Sequence, residues 1–120
     1  MNLPFLFSLL KNQHIRDIDH ALALSLYRME TGTPDLVCAA FALSSRAHSL
    51  GHSCLPLTKI PELLQQTGGT ALSAIPDSAA FHQALQDSHW VGQEHDQNVL
   101  AVLDNYSISL KRYWNYEKKL

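Results

Sequence analysis

The sequence predicts an α+β domain that is mainly helical, with about five helices and a C-terminal β-hairpin packed on them. Over the first two thirds of the chain, apolar residues recur at spacings of three and four, the period of a helix with one buried face. Near the C-terminus the spacing becomes two, because Tyr106, Ile108 and Leu110 alternate with serines. A length of 120 residues is enough for one hydrophobic core, so a single domain is expected.

The first two helices are indicated by their apolar faces and by residues that begin or end helices. Residues 3–11 place Phe5 and three leucines on one helical face. Asp17 is the predicted N-cap of the second helix, since its carboxylate can accept the amide hydrogens of the first turn. Gly32 is predicted to end that helix with a positive φ.

The third helix is predicted to begin at Thr33-Pro34, with Thr33 as the cap and Pro34 in the first turn. It runs to about residue 50, where Gly51 stops it. Residues 36–43 are apolar on all sides, which predicts burial on more than one side.

The second half of the chain contains shorter elements. A helix is predicted near residues 58–66, and Asp77 is the predicted cap of a fifth helix. A strand at residues 99–103 leads into a two-residue turn at Asp104-Asn105. Residues 114–120 resemble the start of another helix, so we expect the domain to span residues 1–113 and this helix to lead into a missing domain.

Composition excludes several classes of protein. A net charge of −2 and a pI near 6.3 argue against a broadly basic nucleic-acid-binding surface. No apolar run approaches the ~20 residues that span a bilayer, so no membrane contact is expected. Two cysteines are too few for a disulfide framework. These features predict a cytoplasmic domain.

Four residues of metal-binding type, Cys38, His48, His52 and Cys54, lie in the middle of the chain. Structural zinc sites usually use two closely spaced ligand pairs, and the spacing here does not match that pattern. A buried Cys38 and a Cys54 held in a connector explain these residues better. We therefore expect no metal site.

Catalytic motifs are missing from the sequence. Seven histidines are scattered, and none forms H-E-x-x-H or a comparable ligand pair on a helix face. Neither a phosphate-binding P-loop nor a nucleophile elbow occurs. The sequence predicts no catalytic residue and no bound cofactor.

The C-terminal run interleaves cations with aromatic rings, from Lys111 and Arg112 through Tyr113, Trp114 and Tyr116. Such a run can form a stacking platform for single-stranded nucleic acid. The alternative is that the rings pack against the helices while the cations remain in solvent. We favour the alternative, because a basic face would raise the pI.

Several stretches, taken together, resemble the N-terminal domain of RecD, the alpha subunit of exodeoxyribonuclease V (the RecBCD helicase–nuclease). They are Asp-Ile-Asp-x-x-x-Ala-Leu from residue 17, the helix at residues 36–44, Gly-His-Ser-Cys-Leu-Pro-Leu at residues 51–57, and Arg-Tyr-Trp-x-Tyr-Glu within residues 108–117. The similarity covers nearly the whole chain and is weakest from residue 66 to residue 97.

The resemblance implies that this chain is part of a longer motor protein. The parent would be an ATP-driven 5′-to-3′ DNA helicase in double-strand-break repair and recombination, with ATP and Mg²⁺ bound in two RecA-like domains beyond this chain. The domain itself would be a non-enzymatic docking module that contacts the RecC-like subunit, with a RecB-like subunit and DNA in the same complex. Partner or strand contacts are expected among Phe5, Phe7, Arg112, Tyr113, Trp114 and Tyr116.

Two alternatives remain open at this stage. One is a winged-helix-like nucleic-acid-binding module, which also combines helices with a hairpin; it would need a basic recognition helix, and the third helix offers only Arg46. The other is a small metal-dependent enzyme or sensor built on the cysteines and histidines of the middle segment.

Overall fold

A computed structural model describes residues 3–72, 74–93 and 99–111 of the chain. Within these ranges the helices are α1 (Pro4–Lys11), α2 (Asp17–Met29), α3 (Asp35–Ser49), α4 (Ile60–Gln66) and α5 (Ser78–Gln86), and a single 3₁₀ turn (Leu57–Lys59) precedes α4. The strands are β1 (Leu55–Pro56), β2 (Val91–Gly92), β3 (Ala101–Asp104) and β4 (Ser107–Leu110). The predicted class, mainly helical α+β, is confirmed.

Helix α3 lies at the centre of the domain. It contacts α1, α2 and α5 on its helical side and β1 and β4 on its sheet side. Every residue from Val37 to Ser45 is buried, as the apolar composition of residues 36–43 predicts. Ser44 and Ser45 are also buried, although the sequence places them in the polar half of the helix.

The hairpin predicted near the C-terminus is present, and it belongs to a four-stranded sheet of order β1-β4-β3-β2. Strands β3 and β4 pair antiparallel, β1 joins β4 antiparallel, and β2 joins β3 parallel. Ile108 and Ala101 point into the core and are fully buried. Strands β1 and β2 have two residues each, too few to show a period in the sequence.

The hairpin turn lies one residue later than predicted. Asp104 pairs with Ser107, so the two turn residues are Asn105 and Tyr106. Asn105 has a φ of 57°, which its short polar side chain tolerates. Tyr106, expected on the strand, is 45% exposed in the turn and stacks on His82 of α5 at 4.2 Å between ring centroids.

The predicted start of α2 is also wrong by one residue. Asp17 is the first helical residue, and Arg16 is the cap. Asp19, the third residue of the helix, accepts the Arg16 backbone N–H at 2.9 Å. A carboxylate in the first turn therefore binds the backbone of the cap residue.

The junction between α2 and α3 differs from the prediction as well. The positive-φ glycines of the described residues are Gly51 and Gly68, so Gly32 does not end α2 by a left-handed cap. The Thr33 hydroxyl instead donates to the Glu30 carbonyl at 2.7 Å. Pro34, predicted in the first turn, is the N-cap of α3, and Thr33, predicted as the cap, precedes it.

The other two predicted helix ends are confirmed. Gly51 has a φ of 97° immediately after α3. Asp77 accepts the Ala80 N–H at 2.8 Å and caps α5.

Candidate functional site

The two phenylalanines of α1 face in different directions. Leu6 and Leu9 of the same helix are fully buried, and the Phe5 ring packs edge-to-face on Phe81 at 6.0 Å between centroids. Phe7 is 60% exposed. Of the two predicted contact residues on α1, Phe7 therefore presents its ring to the outside, and Phe5 belongs largely to the packing.

The outer face of α1 is defined by Pro4, Phe7 and Lys11. These residues recur at spacings of three and four, and all three are exposed. This face combines an aromatic ring, a proline ring and one cation.

A carboxylate from a distant part of the chain holds the N-terminus of α1. The helix has no side-chain cap of its own. Asp35, the first residue of α3, accepts the Phe5 N–H at 2.8 Å and the Leu6 N–H at 3.0 Å. A carboxylate at a helix N-terminus makes charge-assisted hydrogen bonds and is favoured by the helix dipole. The outer face of α1 is thereby set relative to α3.

The C-terminus of α1 is anchored by His14. This histidine is buried; its Nε2 donates to the Thr70 carbonyl at 2.6 Å, and its Nδ1 lies 2.8 Å from the Thr67 hydroxyl. Thr70 in turn donates its backbone N–H to the Asn12 carbonyl at 2.9 Å. Gly69 lies so close to this segment that a Cβ there would be 2.8 Å from the His14 ring. His14 therefore has a structural role.

A cavity of about 260 Å³ lies between the second half of α3, the connector after it, and the end of β4. Its polar lining includes Ser44 and His48 from α3, His52 and Cys54 from the connector, and Lys111 after β4. None of the described residues that line this cavity is acidic.

The Ser44 hydroxyl is the most unusual group in this cavity. Ser44 is 6% exposed, and its Oγ is buried with no hydrogen-bond partner among the described residues. Buried hydroxyls are normally hydrogen-bonded, because losing water without a replacement costs free energy. The cavity thus contains a polar group that a ligand could satisfy.

A second, more open cavity of about 540 Å³ adjoins the first, since both are lined by Cys54, Ser109 and Lys111. It lies over the outward side of the hairpin, where Asp104 adds a carboxylate.

The structure brings together three of the four metal-ligand candidates, because His48, His52 and Cys54 all line the smaller cavity. His52 Nε2 is 3.1 Å from the Gln66 Oε1. Cys38 lies elsewhere in α3 and is fully buried. In the described part of the chain, no three His, Cys, Asp or Glu side chains are grouped so as to hold a metal ion.

The thiols of the two cysteines have different surroundings. Burial, together with the negative charge of Asp35, raises the pKa of Cys38 to about 12. Cys54 is exposed, and neither residue forms a disulfide. Cys54 is therefore the more accessible of the two thiols.

The burial of α3 bears on the winged-helix alternative. A recognition helix must present side chains to a DNA groove, and residues 37–45 of α3 are buried. Arg46, the cation of that helix, donates to the Ser49 hydroxyl at 3.3 Å.

Four predicted contact residues, Arg112, Tyr113, Trp114 and Tyr116, lie outside the described residues, as does the predicted boundary between residues 113 and 114. Sequence reasoning missed the roles of Asp35 and Ser44. An acidic residue in the first turn of α3 gives no local indication that it also binds the N-terminus of α1, and no local signal marks Ser44.

None of the helices in the ranges that the structure covers has the length and apolar character needed to cross a membrane. A search of curated proteins finds no match to the chain. The profile of one protein family, described as "RecBCD enzyme subunit RecD, N-terminal domain", matches residues 11–106. That match covers most of the chain, including α2 to α5 and the strands up to the hairpin turn. The chain belongs to the family of RecD N-terminal domains, from a subunit of the RecBCD enzyme.

Proposed function

We propose that this domain docks a RecD-type helicase subunit onto a RecC-like partner. The observation that supports the proposal is the outer face of α1, where Phe7 is 60% exposed on a helix held by contacts at both ends. The proposal includes a RecB-like subunit in the same cytoplasmic complex. Catalysis would belong to ATP- and Mg²⁺-binding motor domains of the longer parent chain, with 5′-to-3′ unwinding in double-strand-break repair.

An exposed aromatic ring on an anchored helix has the properties of an interface anchor. A few aromatic residues typically supply much of the binding free energy at protein interfaces. Because Asp35 and His14 already hold the ends of α1, docking would order few additional groups. Such preorganisation lowers the entropic cost of association.

The test is to measure binding of the full chain to the RecC-like subunit of the same organism by calorimetry. Wild type should bind with a Kd in the micromolar range or below. Phe7→Ala should weaken binding by about tenfold or more, the range of an interface hot spot. Met29→Ala, which removes another exposed apolar side chain, is the matched control and should change Kd by less than about twofold.

Two results would count against this proposal. An absence of association at micromolar concentrations would exclude the docking role. Tight, salt-sensitive binding to single-stranded or duplex oligonucleotides would favour the nucleic-acid-binding alternative.

A further inference from the structure

We propose that the 260 Å³ cavity at the end of β4 receives an extended, carboxylate-bearing peptide segment of the partner subunit, which pairs with β4 beyond the end of β1. This inference rests on the proposed docking function and adds a second contact site, separate from the outer face of α1.

The first argument is an interrupted strand pairing. Strand β1 pairs with β4 only at Leu55 with Ile108 and at Pro56 with Ser107. One residue further along, the connector leaves β4, and the cavity opens between them, lined by Ser53, Cys54 and Leu110.

The orientation of the main chain shows which groups of β4 face this opening. Lys111 N–H donates toward β3, to the Leu100 carbonyl at 3.1 Å, whereas the Tyr106 carbonyl accepts from Leu57 on the β1 side at 2.6 Å. Since main-chain groups alternate along a strand, the N–H and C=O of Leu110 face the β1 side, two residues beyond Ile108, the last residue of β4 that pairs with β1. An added strand would find its hydrogen-bonding edge there.

The second argument is the Ser44 hydroxyl. It is buried in the wall of the cavity, and no residue in the described part of the chain forms a hydrogen bond with it. A peptide segment supplies N–H and C=O groups at regular spacing, and either can pair with a hydroxyl. Aliphatic side chains of Leu55 and Ile108 also line the cavity, which suits a peptide better than a nucleic-acid phosphate.

The third argument is charge. The chain carries a net charge of −2, yet among the described residues that line this cavity the charged one is a cation, Lys111. The carbonyls of Ala47 and His48, at the end of α3, already accept the N–H groups of His52 and Gly51 at 3.0 Å each. A carboxylate-bearing segment is therefore the occupant whose charge complements that of this lining.

Cys54 provides a reporter for occupancy. Its thiol is exposed in the cavity lining, whereas Cys38 is fully buried. The experiment compares the rate of Cys54 alkylation by iodoacetamide in the isolated chain and in the complex with the RecC-like subunit. We expect the complex to slow alkylation at least tenfold. A thiol placed on α5, Gln86→Cys in a Cys54→Ser background, should react at the same rate in both states.

Hydrogen exchange tests the strand pairing itself. The Leu110 amide should exchange at least tenfold more slowly in the complex. If Cys54 is protected while Leu110 exchange is unchanged, the partner covers the cavity without adding a strand, and the inference is overturned.

Charge reversal tests the carboxylate. Lys111→Glu should weaken the complex at least fivefold and restore Cys54 alkylation. Lys59→Glu, at an exposed lysine that lies 3.3 Å from Glu62, is the matched control and should change Kd by less than twofold. Equal effects of the two reversals would contradict a specific carboxylate at the cavity.

The outcomes separate this inference from the proposed function. Without any complex, the docking function fails and this inference fails with it. A complex in which Cys54 reacts as it does in the isolated chain overturns only the inference. Protection of Cys54 by a poly-dT oligonucleotide but not by the partner would overturn it in favour of a nucleic-acid ligand.

Discussion

The helical side of this domain and its sheet side are stabilised in different ways. Helices α1 and α2 pack on α3 through fully buried side chains such as Leu6, Leu26 and Phe41. The strands have two to four residues each; β1 and β4 pack on α3, and β2 contacts α5. Ile108 and Ala101 are fully buried on this inner side of the sheet. The other side of the sheet faces an open cavity.

The helical side and the sheet side also differ in their long-range polar contacts. Asp19 is fully buried between Arg16 and Ser45; it accepts from the Arg16 guanidinium at 2.7 Å and from the Ser45 hydroxyl at 2.6 Å. This joins the start of α2 to the middle of α3. On the sheet side, Ser44 has no such partner within residues 3–72, 74–93 and 99–111. The Ser45 hydroxyl is thus satisfied by α2, whereas the Ser44 hydroxyl is left for a group that enters the cavity.

The largest effect is expected from Ile108→Ala, which tests whether the inner face of the sheet belongs to the core. Ile108 is fully buried, so the truncation should reduce the free energy of unfolding by about 3 kcal/mol through lost burial and a new cavity. Urea unfolding monitored by circular dichroism measures the change. Val102→Ala, on the side of β3 that lines the open cavity, should cost less than about 1 kcal/mol. Similar losses for the two variants would mean that the outer face of the sheet contributes as much to stability as its inner face.

Asp19→Ala tests the polar connection between α2 and α3. Removing this carboxylate leaves the Ser45 hydroxyl buried without its partner and should destabilise the domain by about 2 kcal/mol, the range for charge-assisted hydrogen bonds. Asp17→Ala removes an exposed acid from the same helix turn and should cost less than about 1 kcal/mol. The same urea titrations compare them, and equal costs would show that the buried contact adds nothing.

Gly69→Ala tests the close contact between the loop after α4 and the segment that follows α1. The added Cβ would collide with the Asn12 carbonyl oxygen and the His14 ring, so a loss of about 1–2 kcal/mol is expected. Gly32→Ala is the control, because nothing lies within 4 Å of a Cβ there. Thermal unfolding should separate the two variants by several degrees. An unchanged melting temperature for Gly69→Ala would mean that this segment shifts to accommodate the added methyl group without loss of stability.

The smallest effect concerns pH and His20 on α2. Burial lowers the pKa of His20 below 6.5, although the negative charge of Asp17 opposes the shift. Folding therefore favours the neutral ring, and the unfolded chain binds more protons. This contribution is present above the unfolded pKa and is lost as the pH falls toward the lower folded pKa.

The measurement is the free energy of unfolding at about pH 7.5 and about pH 5 for wild type and for His20→Gln. Wild type should lose slightly more stability over this interval than the variant. Parallel pH profiles would show that His20 does not contribute.

Helix burial and several helix ends were predicted correctly, because they depend on residues close together in the sequence. The all-round apolar character of residues 36–43 correctly predicts a central helix, and Gly51 and Asp77 correctly mark helix ends. Asp17, by contrast, is predicted as the N-cap of α2 but is the first residue of that helix. An acidic residue is favourable anywhere in the first turn, so the residue type alone does not define the cap.

The candidate site was only partly predictable. Phe7 follows from the helical period of α1, which places it opposite the buried Leu6 and Leu9. The cavity does not follow from any pattern, because its walls come from α3, the connector and β4 together. The sequence marks His48, His52 and Cys54 as residues of metal-binding type whose spacing argues against a metal site, but it does not show that they line one cavity.

The sequence by itself determined the helical majority, the central burial of α3 and the closing hairpin, because periodicity records which faces must leave water. Only the tertiary structure decided which distant groups meet. Asp35 reaches Phe5 across 30 residues, and Ser45 reaches Asp19 across 26. The two-residue strands β1 and β2 likewise exist only through their pairing with β4 and β3. A hydrogen bond between remote residues has no local signature, since its partner is defined only once the hydrophobic core has brought the two segments together.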